Sequence, residues 1–219
     1  MGETPMPRVE KMLKLAVLVS GGGTTLQNLI DACRLGEISA RVEVVIASRE
    51  GIYALQRAAD AGVKRCVVSP KAYASVGEFS GKVFGLCDDA GVDLVCLGGW
   101  LSLLEVPGRY EGRVMNIHPA LLPSPFGGKG MYGKRVHEAV LAHGCKVSGC
   151  TVHFVDHQYD SGPIIVQKCC EVLDNDTAHA LAHRVAELER VAYPEAVKLF
   201  SQRRLTLDGR RVRISGDAG

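Results

Sequence analysis

The chain has 219 residues, 47% of them hydrophobic, which is enough for one domain with a substantial buried core. Its 26 basic and 24 acidic residues nearly cancel, so net charge favours neither nucleic acid nor an anionic membrane as a partner. No apolar run is long enough to span a bilayer, and the start of the chain lacks the apolar middle of a secretory signal, so we expect a cytoplasmic protein. The eight cysteines form no C-x-x-C pair, which indicates buried free thiols.

Continuous apolar runs and helical patterns alternate along the chain, and this alternation predicts an α/β protein. The predicted architecture is a single, doubly wound domain with a mostly parallel sheet and helices on both faces. Asp176 is the predicted cap of the last helix, and a hairpin is expected to turn on Asp208-Gly209. The expected divisions are a polar arm (1–12), the domain (13–204) and a hairpin with tail (205–219). The predicted strands are 15–19, 42–47, 65–68, 93–97, 114–117, 150–155 and 164–172. One predicted helix begins near Thr24, and the others are 53–61, 79–90, 134–143 and 176–200.

A glycine-rich turn, Ser20-Gly-Gly-Gly-Thr-Thr25, follows the first strand. Free backbone amides and the dipole of the helix that follows attract an anion to such a place. A monophosphate suits this turn better than NAD or ATP, because the P-loop lysine and the third glycine of the dinucleotide fingerprint are absent. On these residues alone, a turn with a threonine cap and no ligand is an equally good interpretation.

Asn116 and His118 lie at the end of a predicted strand, so their side chains point to the same side of the sheet. The carboxyl ends of strands in open parallel sheets are where ligands bind. The pair taken alone is more often a histidine that is hydrogen-bonded to backbone than a catalytic one.

A polar loop, residues 156–163, joins the two apolar runs 151–155 and 164–166. A carboxylate of this loop can pair with His118, which would raise the pKa of the imidazole and favour its charged form. A charged imidazole is what a group that stabilises a developing oxyanion needs. An aspartate that only caps the turn before Ser161-Gly-Pro163 explains the segment equally well.

Three segments together resemble the glycinamide ribonucleotide formyltransferases of the formyltransferase superfamily. They are 17–28 (VLVSGGGTTLQN), 115–123 (MNIHPALLP) and 152–163, with its Asp-x-x-x-Asp-Ser-Gly-Pro pattern. The resemblance runs from about residue 15 to 200, with the motifs in the same order. It implies a Rossmann-like formyltransferase fold and transfer of the formyl group of 10-formyltetrahydrofolate, the cosubstrate, to the amine of phosphoribosylglycinamide in purine biosynthesis.

The resemblance also implies small-molecule partners and no metal. It leaves open whether the chain forms a homodimer. It further implies roles for individual residues. The catalytic residues would be Asn116, His118 and Asp160, with protonated His118 and Asn116 on the oxyanion. The phosphoribosyl substrate would be held by Gly22, Gly23, Thr24, Thr25 and Glu189. Folate would lie against Leu101, Ser102, Leu103, Leu104, Asn116, Asp156, His157, Gln158, Tyr159 and Asp160.

The chain departs from the family pattern near the folate. Ser102 stands where these proteins carry an arginine, and Lys71 is the nearest basic residue to a second position that the family fills with a cation. The contacts of the folate tail are therefore not implied. The glycine-rich segment 125–133 is interpreted as a flap, with a plain surface loop as the alternative.

Several histidines are expected to play no catalytic part. His179, His183 and Glu187 have a spacing that suits a metal, but without a glutamate after the first histidine we expect a structural or solvated role. His153 is expected to be a core histidine near the site, and His137 to lie on a surface helix. The arginine pairs 203–204 and 210–211 are interpreted as a solvated basic hairpin.

Three other functions share parts of this pattern. Formyltetrahydrofolate deformylase has the same three catalytic residues but normally adds an N-terminal regulatory domain and lacks the triple-glycine turn. Methionyl-tRNA formyltransferase needs a basic surface and a C-terminal extension for nucleic acid. A sensor that binds a nucleotide phosphate without turnover would use the turn 21–25 alone.

Overall fold

The computed structural model describes residues 12–216, so the predicted N-terminal arm lies outside the described residues except for Met12. Within that range the strands are β1 (Leu13–Val19), β2 (Ala40–Ala47), β3 (Lys64–Val67), β4 (Leu94–Leu97), β5 (Val114–His118), β6 (Val147–Phe154), β7 (Ile164–Glu171), β8 (Leu205–Asp208) and β9 (Arg211–Ile214). The helices are α1 (Thr24–Arg34), α2 (Tyr53–Asp60), α3 (Val76–Asp89), α4 (Lys134–Ala142) and α5 (Ala178–Ser201).

All the described strands form one sheet, in the order β3-β2-β1-β4-β5-β6-β7-β9-β8. Strands β1 to β5 are parallel, whereas β6 runs antiparallel to both of its neighbours. The chain moves outward from β1 to β3 and then returns to the other side of β1 as β4, which creates a topological switch point between β1 and β4. Ligands of open α/β sheets bind in the crevice at such a point, beyond the carboxyl ends of the strands.

Both faces of the sheet are covered, which confirms the predicted fold class. Alternate residues of β1 belong to different cores: Leu15, Val17 and Val19 pack with α1, α2, α4 and α5, whereas Ala16 and Leu18 pack with α3. A central strand that is buried on both faces reads as a continuous apolar run, and this is why its sequence predicts it clearly. The two cores hold the switch point rigidly between them.

The ends of some elements differ from the prediction. Helix α5 is capped by Thr177, whose hydroxyl accepts the Ala180 N–H at 3.1 Å, and not by Asp176. Asp176 instead accepts the Leu173 N–H at 2.9 Å and binds Arg184. Between β4 and β5 the chain forms a single 3-10 turn, Gly108–Tyr110.

The described cysteines are all free, but burial differs among them: Cys87, Cys96 and Cys150 are buried, whereas Cys169 is exposed. The expectation of buried thiols is therefore wrong for Cys169, which lies on an exposed position of β7. No described helix is long and apolar enough to cross a membrane.

Candidate active site

The glycine-rich turn lies at the carboxyl end of β1, on one side of the switch point. Gly23 is the N-cap residue of α1 and adopts a left-handed conformation, with φ of 75°. A β-carbon at this position would lie 2.7 Å from the β-carbon of Ala54. Both the backbone angle and the close approach of α2 therefore require glycine here.

The first turn of α1 has no side-chain cap among residues 12–216, so the threonine cap of the alternative interpretation is absent. Two guanidinium groups flank the turn: Arg49 Nε donates to the Ser20 carbonyl at 3.1 Å, and Arg57 Nε donates to the Gly22 carbonyl at 3.0 Å. Uncapped amides at a helix N-terminus, with two cations beside them, favour a bound anion. The arginines come from the loop after β2 and from α2, and sequence motifs did not indicate them.

Ser20 joins the turn to the segment that follows β4. Its hydroxyl oxygen accepts hydrogen bonds from the Ser48 hydroxyl at 2.8 Å and from the Leu101 N–H at 3.2 Å. Thr25 also lies against Gly98, where an added β-carbon would be 3.3 Å from the Thr25 β-carbon. The glycine-rich turn therefore contacts the segment 98–101 directly, at the switch point between β1 and β4.

Asn116, His118 and Asp160 come together at the end of β5, as predicted. His118 Nδ1 lies 3.4 Å from Asp160 Oδ2, and Asn116 Nδ2 donates to Asp160 Oδ1 at 3.2 Å. Asp160 adopts a left-handed backbone conformation, with φ of 53°. That conformation is unfavourable for a residue other than glycine and is found most often where a side chain must be aimed.

His153 of β6 is a further member of this cluster. Its Nε2 atom lies 3.2 Å from Asn116 Nδ2 and 3.7 Å from Asp160 Oδ1, and its Nδ1 atom lies 2.8 Å from the Phe154 carbonyl. Because a carbonyl can only accept, Nδ1 carries a proton, and Nε2 lies within reach of both the Asn116 amide and the Asp160 carboxylate. His153 is buried, as expected for a core histidine, and it orients Asn116.

The glycine-rich segment 125–133 closes over the cluster through its backbone. His118 Nε2 lies 2.7 Å from the Phe126 carbonyl, and the Gly128 N–H donates to Asp160 Oδ2 at 2.8 Å. Since a carbonyl can only accept, His118 carries a proton on Nε2. The segment therefore occupies hydrogen-bonding positions on two of the three predicted catalytic residues.

The predicted rise of the His118 pKa is wrong. Burial lowers the pKa of His118, and it outweighs the charge of Asp160 and the Phe126 carbonyl, which act in the opposite direction. Burial acts to raise the pKa of Asp160. The His153 and His118 rings and the Gly128 N–H act to lower it, and together they outweigh burial, so the pKa of Asp160 is lowered. At neutral pH the site therefore holds an ionised carboxylate beside a largely neutral imidazole.

A cleft beside this cluster contains most of the predicted folate-binding residues. It is lined by Ser102, Leu103, Leu104, Asn116, Asp156, Gln158, Tyr159 and Asp160, together with Leu97, Trp100, His153 and Val155. Of the other two predicted residues, Leu101 is exposed and His157 lines a neighbouring cavity next to α3. Trp100, the one tryptophan of the chain, was not predicted here.

Glu189 lies on α5, which packs across α1, and the Asn28 side chain donates to the neighbouring Arg190 carbonyl at 3.0 Å. Burial raises the pKa of Glu189 to about 7. A carboxyl of this kind exchanges a proton near neutral pH and can serve as hydrogen-bond donor or acceptor.

The remaining histidines differ in burial. His183 Nε2 lies 3.9 Å from Glu187 Oε1 on an exposed helix face, and residues 12–216 contain no group of three or more His, Cys, Asp or Glu side chains that could hold a metal ion. His137 is 3% exposed and its Nδ1 atom has no partner in the described part of the chain, so the expectation of a surface position is wrong. It faces the core from α4, close enough to His118 for the two rings to interact electrostatically.

The chain is similar to known formyltransferases. A family model described as formyl transferase matches residues 13–197. The chain is 38% identical over 196 residues to the chloroplastic phosphoribosylglycinamide formyltransferase of Arabidopsis thaliana, covering 88% of this chain and 66% of that protein. It is 38% identical over 191 residues to the trifunctional purine biosynthetic protein adenosine-3 of Gallus gallus, covering 86% of this chain but only 18% of that protein.

Two solved structures of differently named enzymes are similar to the chain. Glycinamide ribonucleotide transformylase 1 from Symbiobacterium toebii superposes with a TM-score of 0.87 at 44% identity, covering 94% of this chain and 95% of that chain. Formyltetrahydrofolate deformylase from Burkholderia mallei superposes with a TM-score of 0.82 at 25% identity, covering 95% of this chain but 72% of that chain. Of these two structures, the transformylase is the one that the chain matches over nearly its whole length.

Proposed function

The chain belongs to the formyl transferase family, and we propose that it transfers the formyl group of 10-formyltetrahydrofolate to the amine of phosphoribosylglycinamide. The products are formylglycinamide ribonucleotide and tetrahydrofolate, in purine biosynthesis. The observation that carries the proposal is that an uncapped helix N-terminus and the Asn116–His118–Asp160 cluster lie at the same edge of the sheet, at the carboxyl ends of β1 and β5 on either side of β4. Residues 13–204 would form the formyltransferase domain, with residues 205–219 appended, in a cytoplasmic protein.

The phosphate of the ribonucleotide would bind the amides of Gly23, Thr24 and Thr25, with Gly22 shaping the turn. This assignment is supported by the missing cap and by Arg49 and Arg57 beside the turn. From there the substrate would extend along the crevice past Glu189, toward the end of β5. The pterin would occupy the cleft lined by residues 102–104, Asp156 and residues 158–160.

In the reaction the amine attacks the formyl carbon, and a C–N bond forms while the formyl oxygen becomes an oxyanion. Asn116 and His118 would donate hydrogen bonds to that oxygen. His118 now donates to the neutral Phe126 carbonyl, which an oxyanion can displace because hydrogen bonds to a full charge are stronger than those to a neutral acceptor. Asn116 now donates to the Asp160 carboxylate and would exchange one charged acceptor for another. Donors of this kind contribute about 100- to 1,000-fold each in rate.

A neutral His118 is adequate for this role, because its Nε2–H is a donor without an added proton. Asp160, ionised at neutral pH, would take the proton that the amine loses, through a water molecule, and return it to N10 of the folate as the C–N10 bond breaks. The proton balance closes within this cycle. The mechanism requires neither a metal ion nor a covalent enzyme intermediate.

The closest alternative is formyl transfer to water, since a deformylase shares the fold at lower identity. We would mix the protein with 10-formyltetrahydrofolate and follow the folate absorbance with and without phosphoribosylglycinamide. Turnover that needs the ribonucleotide supports the transferase, and equal turnover without it identifies a hydrolase. A phosphate sensor would bind the ribonucleotide but give no turnover under either condition.

Replacing Asp160 tests the cluster in the same assay. We expect Asp160→Asn to lower kcat about 100- to 10,000-fold, because the carboxylate that moves the proton is lost. Asp174→Asn is the matched control: Asp174 is exposed and, among the described residues, its carboxylate pairs only with Lys146 at the surface. Equal activity of the two variants would show that Asp160 is not part of the catalytic machinery.

A further inference from the structure

We propose that Arg210, in the C-terminal hairpin, is a positioning residue that holds the loop 156–163 so that the Asp160 carboxylate faces Asn116 and His118. This inference rests on the proposed function. The Arg210 Nη2 atom donates a hydrogen bond to the Ser161 carbonyl at 2.5 Å, across 49 positions of sequence. Within residues 12–216 this is the only hydrogen bond of the Arg210 guanidinium.

The sheet itself brings the hairpin to the loop. Strand β9 is parallel to β7 and pairs with it at Ile164 and Arg211, directly where the loop ends. The hairpin turn therefore lies beside residues 160–163. Arg210 also lines a cavity together with Asp160, Ser161 and Gly128, so it lies next to the catalytic carboxylate and not only near its loop.

Ser161 is fixed from two sides. Its hydroxyl donates to both carboxylate oxygens of Asp156 at 2.8 Å, which ties the end of the loop to its beginning. Its carbonyl accepts the hydrogen bond from Arg210, which ties the loop to the sheet. The hydrogen bonds to Asp156 lie within the loop, whereas the hydrogen bond from Arg210 joins the loop to the hairpin.

The residue that precedes Ser161 needs such an anchor. Asp160 has φ of 53°, a conformation that an isolated loop rarely keeps for an aspartate. Such a conformation persists only where the surroundings hold it. Gly128 restrains the Asp160 carboxylate from the glycine-rich segment, whereas Arg210, next to the pairing of β9 with β7, restrains the loop backbone from the side of the sheet.

The hairpin supplies its own control. Arg213 lies on β9 and is 69% exposed at its side chain, and it pairs with Asp208 inside the hairpin at 2.5 Å. Arg213→Ala therefore removes a guanidinium from the same hairpin without touching the loop. Arg210→Lys retains a cationic donor for the Ser161 carbonyl.

The experiment compares Arg210→Ala, Arg210→Lys and Arg213→Ala in the full chain. We expect Arg210→Ala to lower kcat about 10- to 100-fold, because a small displacement of a catalytic group has an effect of this size. The KM for phosphoribosylglycinamide should change less than twofold. The acidic limb of the kcat profile should move to higher pH, because the restraints that keep the Asp160 pKa low are loosened. Arg210→Lys should restore most of kcat, and Arg213→Ala should resemble the wild type.

Hydrogen exchange of the peptide 156–163 gives a readout that does not need turnover. We expect its amides to exchange at least about tenfold faster in Arg210→Ala than in Arg213→Ala, with exchange in β4 and β5 unchanged. Fluorescence of the single Trp100, which lines the cleft, reports binding of 10-formyltetrahydrofolate separately. Equal loop exchange and equal pH profiles in the two alanine variants would overturn the role of Arg210. If the loop amides exchange as expected but wild-type turnover of 10-formyltetrahydrofolate does not need the ribonucleotide, the proposed function is overturned instead.

Discussion

Glu189, a half-buried carboxyl on α5, makes the stability of the fold depend on pH. Burial raises its pKa from 4.5 to about 7 in the folded chain, whereas the unfolded chain keeps the lower value. Between these two values the folded state binds a proton that the unfolded state does not. The free energy of unfolding therefore falls as pH rises from about 4.5 to about 7, and this stabilisation is lost at higher pH.

Replacing Glu189 by glutamine removes this pH dependence. Relative to the wild type, Glu189→Gln should gain stability between pH 4 and pH 8, by up to about 3 kcal/mol from the size of the pKa shift. Urea unfolding at the two pH values measures the gain. Glu187→Gln, on the exposed face of the same helix, is the control. A pH dependence equal to that of the wild type would show that Glu189 is not protonated in the folded state.

At the scale of elements, the turn between β1 and α1 depends on one glycine. We expect Gly23→Ala to destabilise the fold by about 1–2 kcal/mol from its backbone angle and by about 1–3 kcal/mol more from the contact with Ala54. It should also raise the KM for phosphoribosylglycinamide at least about tenfold, because the phosphate-binding amides move.

Gly36 provides a matched control for this prediction. It has φ of 72°, nearly the same as Gly23, but no atom lies within 4 Å of an added β-carbon. Gly36→Ala should therefore show the backbone cost alone and leave both KM values unchanged. If the two variants lose the same stability and retain the same KM, the close approach of α2 has no role in shaping the turn.

The features that the sequence predicted best are those that depend on a pattern of neighbouring residues along the chain. The buried strand β1 and the pair Asn116 and His118 follow from apolar runs and from the period of a strand, which depend only on neighbouring residues. The position of His137 depends on which face of α4 meets the core, and the hydrogen bond from Arg210 to a backbone carbonyl leaves no trace in residue types. The direction of the His118 pKa shift depends on how deeply the ring is buried, which pairing with Asp160 alone could not indicate.

At the scale of the molecule, the two halves of the crevice must stay in register, because the phosphate turn follows β1 and the catalytic pair ends β5. Helix α5 crosses between them. The Tyr193 hydroxyl, fully buried, lies 3.2 Å from the Leu97 carbonyl at the end of β4 and 2.9 Å from the Met115 carbonyl in β5. One hydroxyl thus joins the helix layer to both strands that border the site.

Tyr193→Phe removes this link and keeps the ring. We expect a loss of about 1–3 kcal/mol in the free energy of unfolding, because two buried carbonyls lose a donor. The effect on kcat should exceed the effect on either KM, since the strand ends carry the catalytic pair more directly than the binding surfaces. Tyr132→Phe, at an exposed ring in the glycine-rich segment, controls for the loss of a hydroxyl. Unfolding in urea and steady-state kinetics measure both quantities, and a Tyr193→Phe variant as stable and active as Tyr132→Phe would mean that packing alone holds the layers in register.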